Sequence, residues 1–174
     1  MLFIILVLVL SIPAVQTGIG KRLTKMLNND FKTNINIDRV SLKFNSDVEI
    51  KNIYIQDYKK DTLISIKELN TSILSFKNLY RGNLEFGDID IEKLIFNIKT
   101  YEGSTETNLD VFVNRFEDDN PRTGESTFLL SSSDVSIYNG VFTLSDENRE
   151  TTKVLHFDDF NINVMGCVKI LQKV

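Results

Sequence analysis

The chain has one cysteine and one histidine in 174 residues. A single Cys167 excludes an internal disulfide. A zinc site needs several His or Cys ligands, so His156 alone does not make one. A histidine-based triad needs a partnered nucleophile and an orienting acid. His156 instead lies between Leu155 and Phe157 in a strand-like run, and it reads as a strand-face side chain. No glycine-rich phosphate loop occurs. The acidic runs Glu117-Asp118-Asp119 and Asp158-Asp159 lack the spaced oxygen ligands of a calcium loop. Net charge is −4, without the basic face that gives phosphate affinity, which argues against nucleic acid as a partner. Nothing in the chain reads as a catalytic, cofactor-binding or metal-binding group, and a non-enzymatic protein is expected.

What is present begins with an uncharged run, Leu2 to Ile12. It is shorter than the ~20 residues of a spanning helix, and Pro13 stops it. No basic n-region precedes it, and Pro13-Ala14-Val15-Gln16 makes a poor signal-peptidase site. Residues 1–16 therefore read as the C-terminal part of a membrane anchor, with a signal peptide as the alternative. Lys21, Arg22, Lys25 and Lys32 follow, and the positive-inside rule puts them in the cytoplasm unless a more basic segment upstream of Met1 outweighs them. Thr17 to Phe31 has Ile19, Leu23, Met26 and Leu27 on one helical stripe. It reads as an amphipathic juxtamembrane helix that closes one end of a β structure, or as an ordinary core-packing helix.

From residue 32 to 174 the pattern alternates with period two. Ile35 and Ile37 give way to Val40, Leu42 and Phe44 after a phase flip at Arg39. Val48 and Ile50 give way to Ile53 and Ile55 after a flip at Asn52. Leu63 to Ile66 and Leu69 to Ile73 read as two short strands. Ser75 to Gly82 reads as a short helix. Leu84, Phe86, Ile89, Ile91, Leu94, Phe96 and Ile98 read as one kinked strand or two in sequence, with breaks at Gly87 and Glu92-Lys93. Leu109 to Phe116 predicts a short helix. Strands return over Phe128 to Leu144 and Leu155 to Val164. Each flip implies a bulge or bend and, on this reading, divides the apolar residues between the two faces. Val48-Glu49-Ile50-Lys51-Asn52 and Val135-Ser136-Ile137-Tyr138-Asn139 share a V-x-I-x-N form.

The region from Val48 to Asn108 resembles the AsmA-like family, most closely the N-terminal region of the inner-membrane subunit of the translocation and assembly module. The resemblance runs from about Ile12 to Val164. Its most specific stretch holds Leu79-Tyr80-Arg81-Gly82, Leu84 to Ile91, Phe96-Asn97-Ile98, and a glycine-containing loop ending at Asn108. Family members are many times longer, and the region through which they are thought to meet an outer-membrane barrel partner is not in this chain.

The expected fold is mainly β with a few short helices: an elongated, partly open antiparallel-type sheet, a β groove, behind an N-terminal apolar helix. The resemblance implies a single-pass inner-membrane protein whose groove lies in the periplasm of a Gram-negative cell. It also implies cargo of phospholipid acyl chains or unfolded outer-membrane protein. Candidate groove-lining residues are Val48, Ile50, Leu84, Phe86, Ile89, Ile91, Leu94 and Phe96. A closed β-sandwich used for adhesion or interaction is the alternative.

Overall fold

A computed structural model describes residues 13–43, 45–75, 83–116, 129–149 and 154–170. The elements are α1 (Pro13–Phe31), β1 (Asn34–Leu42), β2 (Asp47–Gln56), β3 (Thr62–Ser72), β4 (Asn83–Glu85), β5 (Ile89–Thr100), α2 (Asn108–Asn114), β6 (Leu129–Asp146) and β7 (Leu155–Ile170). The leader before Pro13 and the helix expected over residues 75–82 fall outside the described residues, the latter all but Ser75. Among the described residues no helix is long and apolar enough to cross a membrane.

All strands belong to one seven-stranded open sheet. β1 to β3 form an antiparallel meander joined at Asn45-Ser46 and Asp57–Asp61, with Ser46 and Lys60 at positive φ in the turns. β3 is one strand, not the two expected, because Lys67-Glu68 continues the ladder opposite β2. β5 pairs antiparallel with β3 but parallel with β6. The sheet is therefore mixed, which corrects the antiparallel-type expectation. A parallel neighbour requires a crossover, and the link carrying α2 supplies it. β4 and β5 lie end to end along β6: Asn83 faces Leu129 and Ile89 faces Val135, so the break between them leaves the register unchanged. At that break a Cβ on Gly87 would stand 2.4 Å from Ser72 Oγ, so a side chain there would have to displace the Ser72 hydroxyl.

The flip at Asn52 and the break at Glu92-Lys93 are kinks with a left-handed residue, whereas the flip at Arg39 has none. Asn52, Lys93, Asn139 and Asp159 sit inside strands at φ 52°, 54°, 53° and 51°. A left-handed residue costs an L-amino acid about 1–2 kcal/mol, least for Asn and Asp. The two V-x-I-x-N segments end on the Asn52 and Asn139 kinks. These positions align across the sheet: Asn52 Nδ2 donates to Asp38 Oδ2 (3.0 Å) on β1, and Asn139 N–H donates to Asn161 Oδ1 (3.1 Å) on β7.

Among the described residues α1 runs from Pro13, so the helix extends at least four residues ahead of the expected Thr17. The helix runs along the outer edge of β1 and imitates a strand there. Gln16 gives and receives hydrogen bonds with the Leu42 backbone at 2.9 and 2.8 Å, and Asn28 does so with Ile35 at 2.7 and 2.8 Å. Thr17 does so with Val40 at 3.3 Å. Gly20 lets the helix close on the strand, since a Cβ there would meet Val40 Cγ2 at 2.5 Å. Leu27 of the expected apolar stripe remains exposed.

At the end of the sheet where β1 begins and β5 finishes, a polar knot ties the β2–β3 turn to α2. Asp57 is buried; its Oδ1 accepts from the N–H groups of Lys59 (2.8 Å) and Asp61 (3.0 Å). Its Oδ2 accepts from Tyr101 (2.6 Å) and from Asn108 Nδ2 (3.0 Å). Asn108, 1% exposed, also receives the Lys99 N–H (2.8 Å), so it extends the ladder past the end of β3. Burial, then the Asp57 and Asp61 carboxylates, push the Tyr101 phenol above its ordinary range. The hydrogen bond to Glu147 (2.7 Å) raises Lys99 and lowers Glu147. α2 then opens on a capping box of Thr107 and Asp110. Phe31 from α1 stacks on Phe116 just past α2, centroids 4.9 Å apart.

Candidate apolar binding face

Pairing registers place the apolar residues of every long strand in transverse rows. Val40, Ile50, Leu69, Ile91, Ile137 and Ile162 form one row. Ile37, Ile53, Ile66 and Leu94 form the next, continued by the Gly140–Phe160 pair. Ile35, Ile55, Ile64, Phe96, Phe142 and Phe157 form a third. Ile53, Ile66 and Leu94 are the centre, each 9% exposed, and members of all three rows pack on them. One sheet face is thus apolar from β1 to β7.

This placement corrects the expectation that flips split the candidates between faces. Ile50 precedes the Asn52 kink and Ile53 follows it, yet both join the same cluster. The same holds for Ile91 and Leu94 around Lys93. The left-handed residue turns the backbone by the step that the sequence pattern skips, so the two shifts cancel. Where each strand carries its two-residue gap, the face stays apolar.

Among the candidates, Ile50, Ile91, Leu94 and Phe96 come together in the central cluster. Val48 and Ile89 lie two residues outward on the same strands, paired with Leu42 and Val135. Leu84 lies on β4 opposite Leu130. Phe86 sits in the break between β4 and β5, bridged to Ile73. The candidate set omitted the contributions of β1, β3, β6 and β7, although Ile35-x-Ile37-x-x-Val40, Ile64-x-Ile66-x-x-Leu69 and Phe157-x-x-Phe160-x-Ile162 carry related spacing.

The opposite face is mostly polar, with one mixed row of Asn36, Tyr54, Ser65, Ile95 and Val141. Ser41, Glu49, Asn70, Asp90, Ser136 and Asn163 form a row there. Lys51 bridges Glu49 (3.1 Å) and Glu68 (3.4 Å), and the hydrogen bonds to those carboxylates raise its pKa. His156 shares a hydrogen bond with Thr143 (3.0 Å) and lies 3.0 Å from Asp158, on the exposed part of β7. Among the described residues no group of three or more acidic, His or Cys side chains is placed to hold a metal.

The apolar face is buried at its centre and open at its β7 side. Leu155, Phe157, Ile162 and Val164 are 46–50% exposed. The ring of Phe96 stands edge-on to Phe142 at 5.8 Å, and Phe142 leads on to Phe157 at 6.4 Å, an aromatic run that ends in the open. Among the described residues no second sheet covers this face, α1 is occupied with the β1 edge, and α2 meets β5. What the arrangement offers a ligand is apolar burial. Comparison with known proteins finds no matching family model, no matching curated protein and no matching solved structure.

Proposed function

We propose that the chain is part of a membrane-anchored periplasmic groove protein that helps move phospholipid or outer-membrane protein between the inner and outer membranes. The observation that supports this reading is the apolar face that continues unbroken from β1 to β7 and stays open along one side. On this reading an acyl chain or an extended apolar segment lies on the rows, held by burial at roughly 0.8 kcal/mol per CH₂. From Val48 to Ile55 the floor runs about 20 Å at roughly 3.3 Å per residue. One leaflet of a bilayer is about 15 Å of hydrocarbon, so an acyl chain fits along the strands. The protein performs no bond chemistry on this reading. The leader attaches it to the inner membrane, and an outer-membrane barrel partner receives the cargo.

Ile91→Asp tests the reading. A charge in the floor must be desolvated whenever cargo passes, at a cost of several kcal/mol, while an open face lets that charge reach water when empty. The expected result is a folded variant by circular dichroism that no longer photo-crosslinks lipid or nascent outer-membrane protein from a probe placed at Phe96. Unchanged fold with unchanged crosslinking overturns the groove. Loss of fold also overturns it, because Ile91 then belongs to a closed core.

A further inference from the structure

The two edges of the sheet are finished differently. At β1, side chains of α1 occupy the free backbone groups of Ile35, Val40 and Leu42. β7 is 16 residues long, and among the described residues its outer edge has no strand partner. A long open edge is a template for another strand. We propose that β7 pairs antiparallel with β7 of a second copy, about a two-fold axis at Phe160, so that the apolar face runs unbroken across two chains.

Bulge spacing is the observation that carries this. In β6 two residues separate Ile137 from Gly140, and one separates Gly140 from Phe142. β7 repeats that spacing: two residues between Phe157 and Phe160, one between Phe160 and Ile162. Both carry the left-handed residue just before the central position, Asn139 and Asp159. β6 and β7 pair so that each two-residue gap meets a one-residue gap: Ile137 with Ile162, Gly140 with Phe160, Phe142 with Phe157. A second β7 therefore presents the same gap spacing to β7 as β6 does, with Phe160 in place of Gly140; the Phe160 ring lies over Gly140, on the β6 side of the strand. Phe160 then faces its own copy, Phe157 faces Ile162 of the second copy, and Leu155 faces Val164.

Charge selects this register over the other symmetric one. Setting two-residue gaps against each other would bring Asp158 opposite Asp159 and gather four carboxylates, and like charges directly opposite are destabilising. In the proposed register the aspartates face Asn161. The second copy supplies the neighbours that the half-exposed apolar residues of β7 lack. The pairing is isologous and closes at two chains, because α1 blocks the remaining edge.

The full chain in detergent micelles provides the test, in a Cys167→Ser background. Sedimentation should give a protein mass twice the 19.9 kDa of one chain. With copper phenanthroline as oxidant, Phe160→Cys should form a disulfide-linked dimer. A mixture of Phe157→Cys and Ile162→Cys chains should also link, and a mixture of Asp158→Cys and Asp159→Cys chains should not. A single-chain mass at the highest concentration, or linking only in the aspartate mixture, overturns the proposal. If a cysteine variant does not fold, the mass of the unmodified chain decides. A single-chain mass alongside cargo crosslinking at Phe96 would sink the dimer and leave the groove standing.

Discussion

Removing one oxygen from Tyr101 isolates the knot that closes the end of the sheet. Its hydroxyl lies 2.6 Å from Asp57 Oδ2 and 2.9 Å from Asp61 Oδ2, and it donates to one of them at a time. The nearer acceptor belongs to a carboxylate that is only 4% exposed. A hydrogen bond to a charged group contributes about 1.5–3 kcal/mol. Tyr101→Phe keeps the ring, so its edge contact with Tyr58 at 5.5 Å and the Lys99 ammonium 4.5 Å above it survive. The loss should therefore be close to that one bond. At roughly 2–4 °C per kcal/mol for a chain of this size, Tm should fall by about 3–12 °C. Asp57→Ala should cost more, because it also strands the N–H groups of Lys59 and Asp61. Thermal unfolding followed by circular dichroism measures both, with Tyr138→Phe, an exposed tyrosine, as control. If Tyr101→Phe melts within about 1 °C of the parent, the knot is ornamental and the turn is held by its backbone alone.

Two further outcomes follow from the kinks and the exposed charges. Lys93 is the one kink residue of a type that gains nothing from the left-handed region, so Lys93→Asn should raise stability by up to about 1 kcal/mol, read as a higher urea midpoint; a lower midpoint refutes the strain. The carboxyls of Glu147 and Asp110 are held below their ordinary range by the Lys99 and Thr107 hydrogen bonds, respectively. Stabilisation from a depressed carboxyl is fully present above the ordinary carboxyl pKa, about 4, and is lost as pH falls through the lower folded one. Melting curves should therefore drop on acidification, less steeply in a Glu147→Gln, Asp110→Asn chain, and parallel curves refute this. Lys99 is shifted upward, so its contribution fades only as pH climbs past about 10.4.

The kinks were legible in the sequence because alternation is local: the skips at Asn52 and at Glu92-Lys93 show in a handful of residues. Their consequence was not. A skip read alone sends half a strand to the other face, and only the backbone conformation at Asn52 and Lys93 shows the two shifts cancelling. The parallel β5–β6 pair was hidden because Ile91 and Ile137 are brought together by a long crossover. The Lys67-Glu68 skip looked like a break between two short strands, since β3 crosses the kink row with no left-handed residue to mark it. Gln16 fell in the leader, and Thr17 and Asn28 lay off the apolar stripe of the expected helix. Their role depends on the edge of β1 lying against them, which no helical periodicity reveals. Asp57 read as turn chemistry and is that, but its second oxygen serves Tyr101 and Asn108 from distant parts of the chain.

The kinks also bear on what kind of surface this is. A strand that skipped phase alone would carry polar side chains onto the apolar face for the rest of its length. Here β1 skips at Asp38-Arg39, β2 at Lys51-Asn52, β3 at Lys67-Glu68 and β5 at Glu92-Lys93, and the pairing sets these skips side by side: Arg39 with Lys51, Lys51 with Glu68, Glu68 with Glu92. β6 skips at Tyr138-Asn139, level with β5 through the Glu92–Tyr138 pair. The skips therefore form one line across the sheet, and the rows that flank it, of Val40 on one side and of Ile37 and Ile35 on the other, stay apolar. Such a line costs strain at the left-handed residues of β2, β5 and β6, while β1 and β3 cross it without one. What the alignment of the skips obtains is continuity. The rows from Val40 to Ile162 and from Ile35 to Phe157 follow one another along the strands with no charged side chain on the apolar face between them. Continuity along the strand is what a long apolar ligand needs, and it is a property of the aligned skips rather than of any single residue on the face.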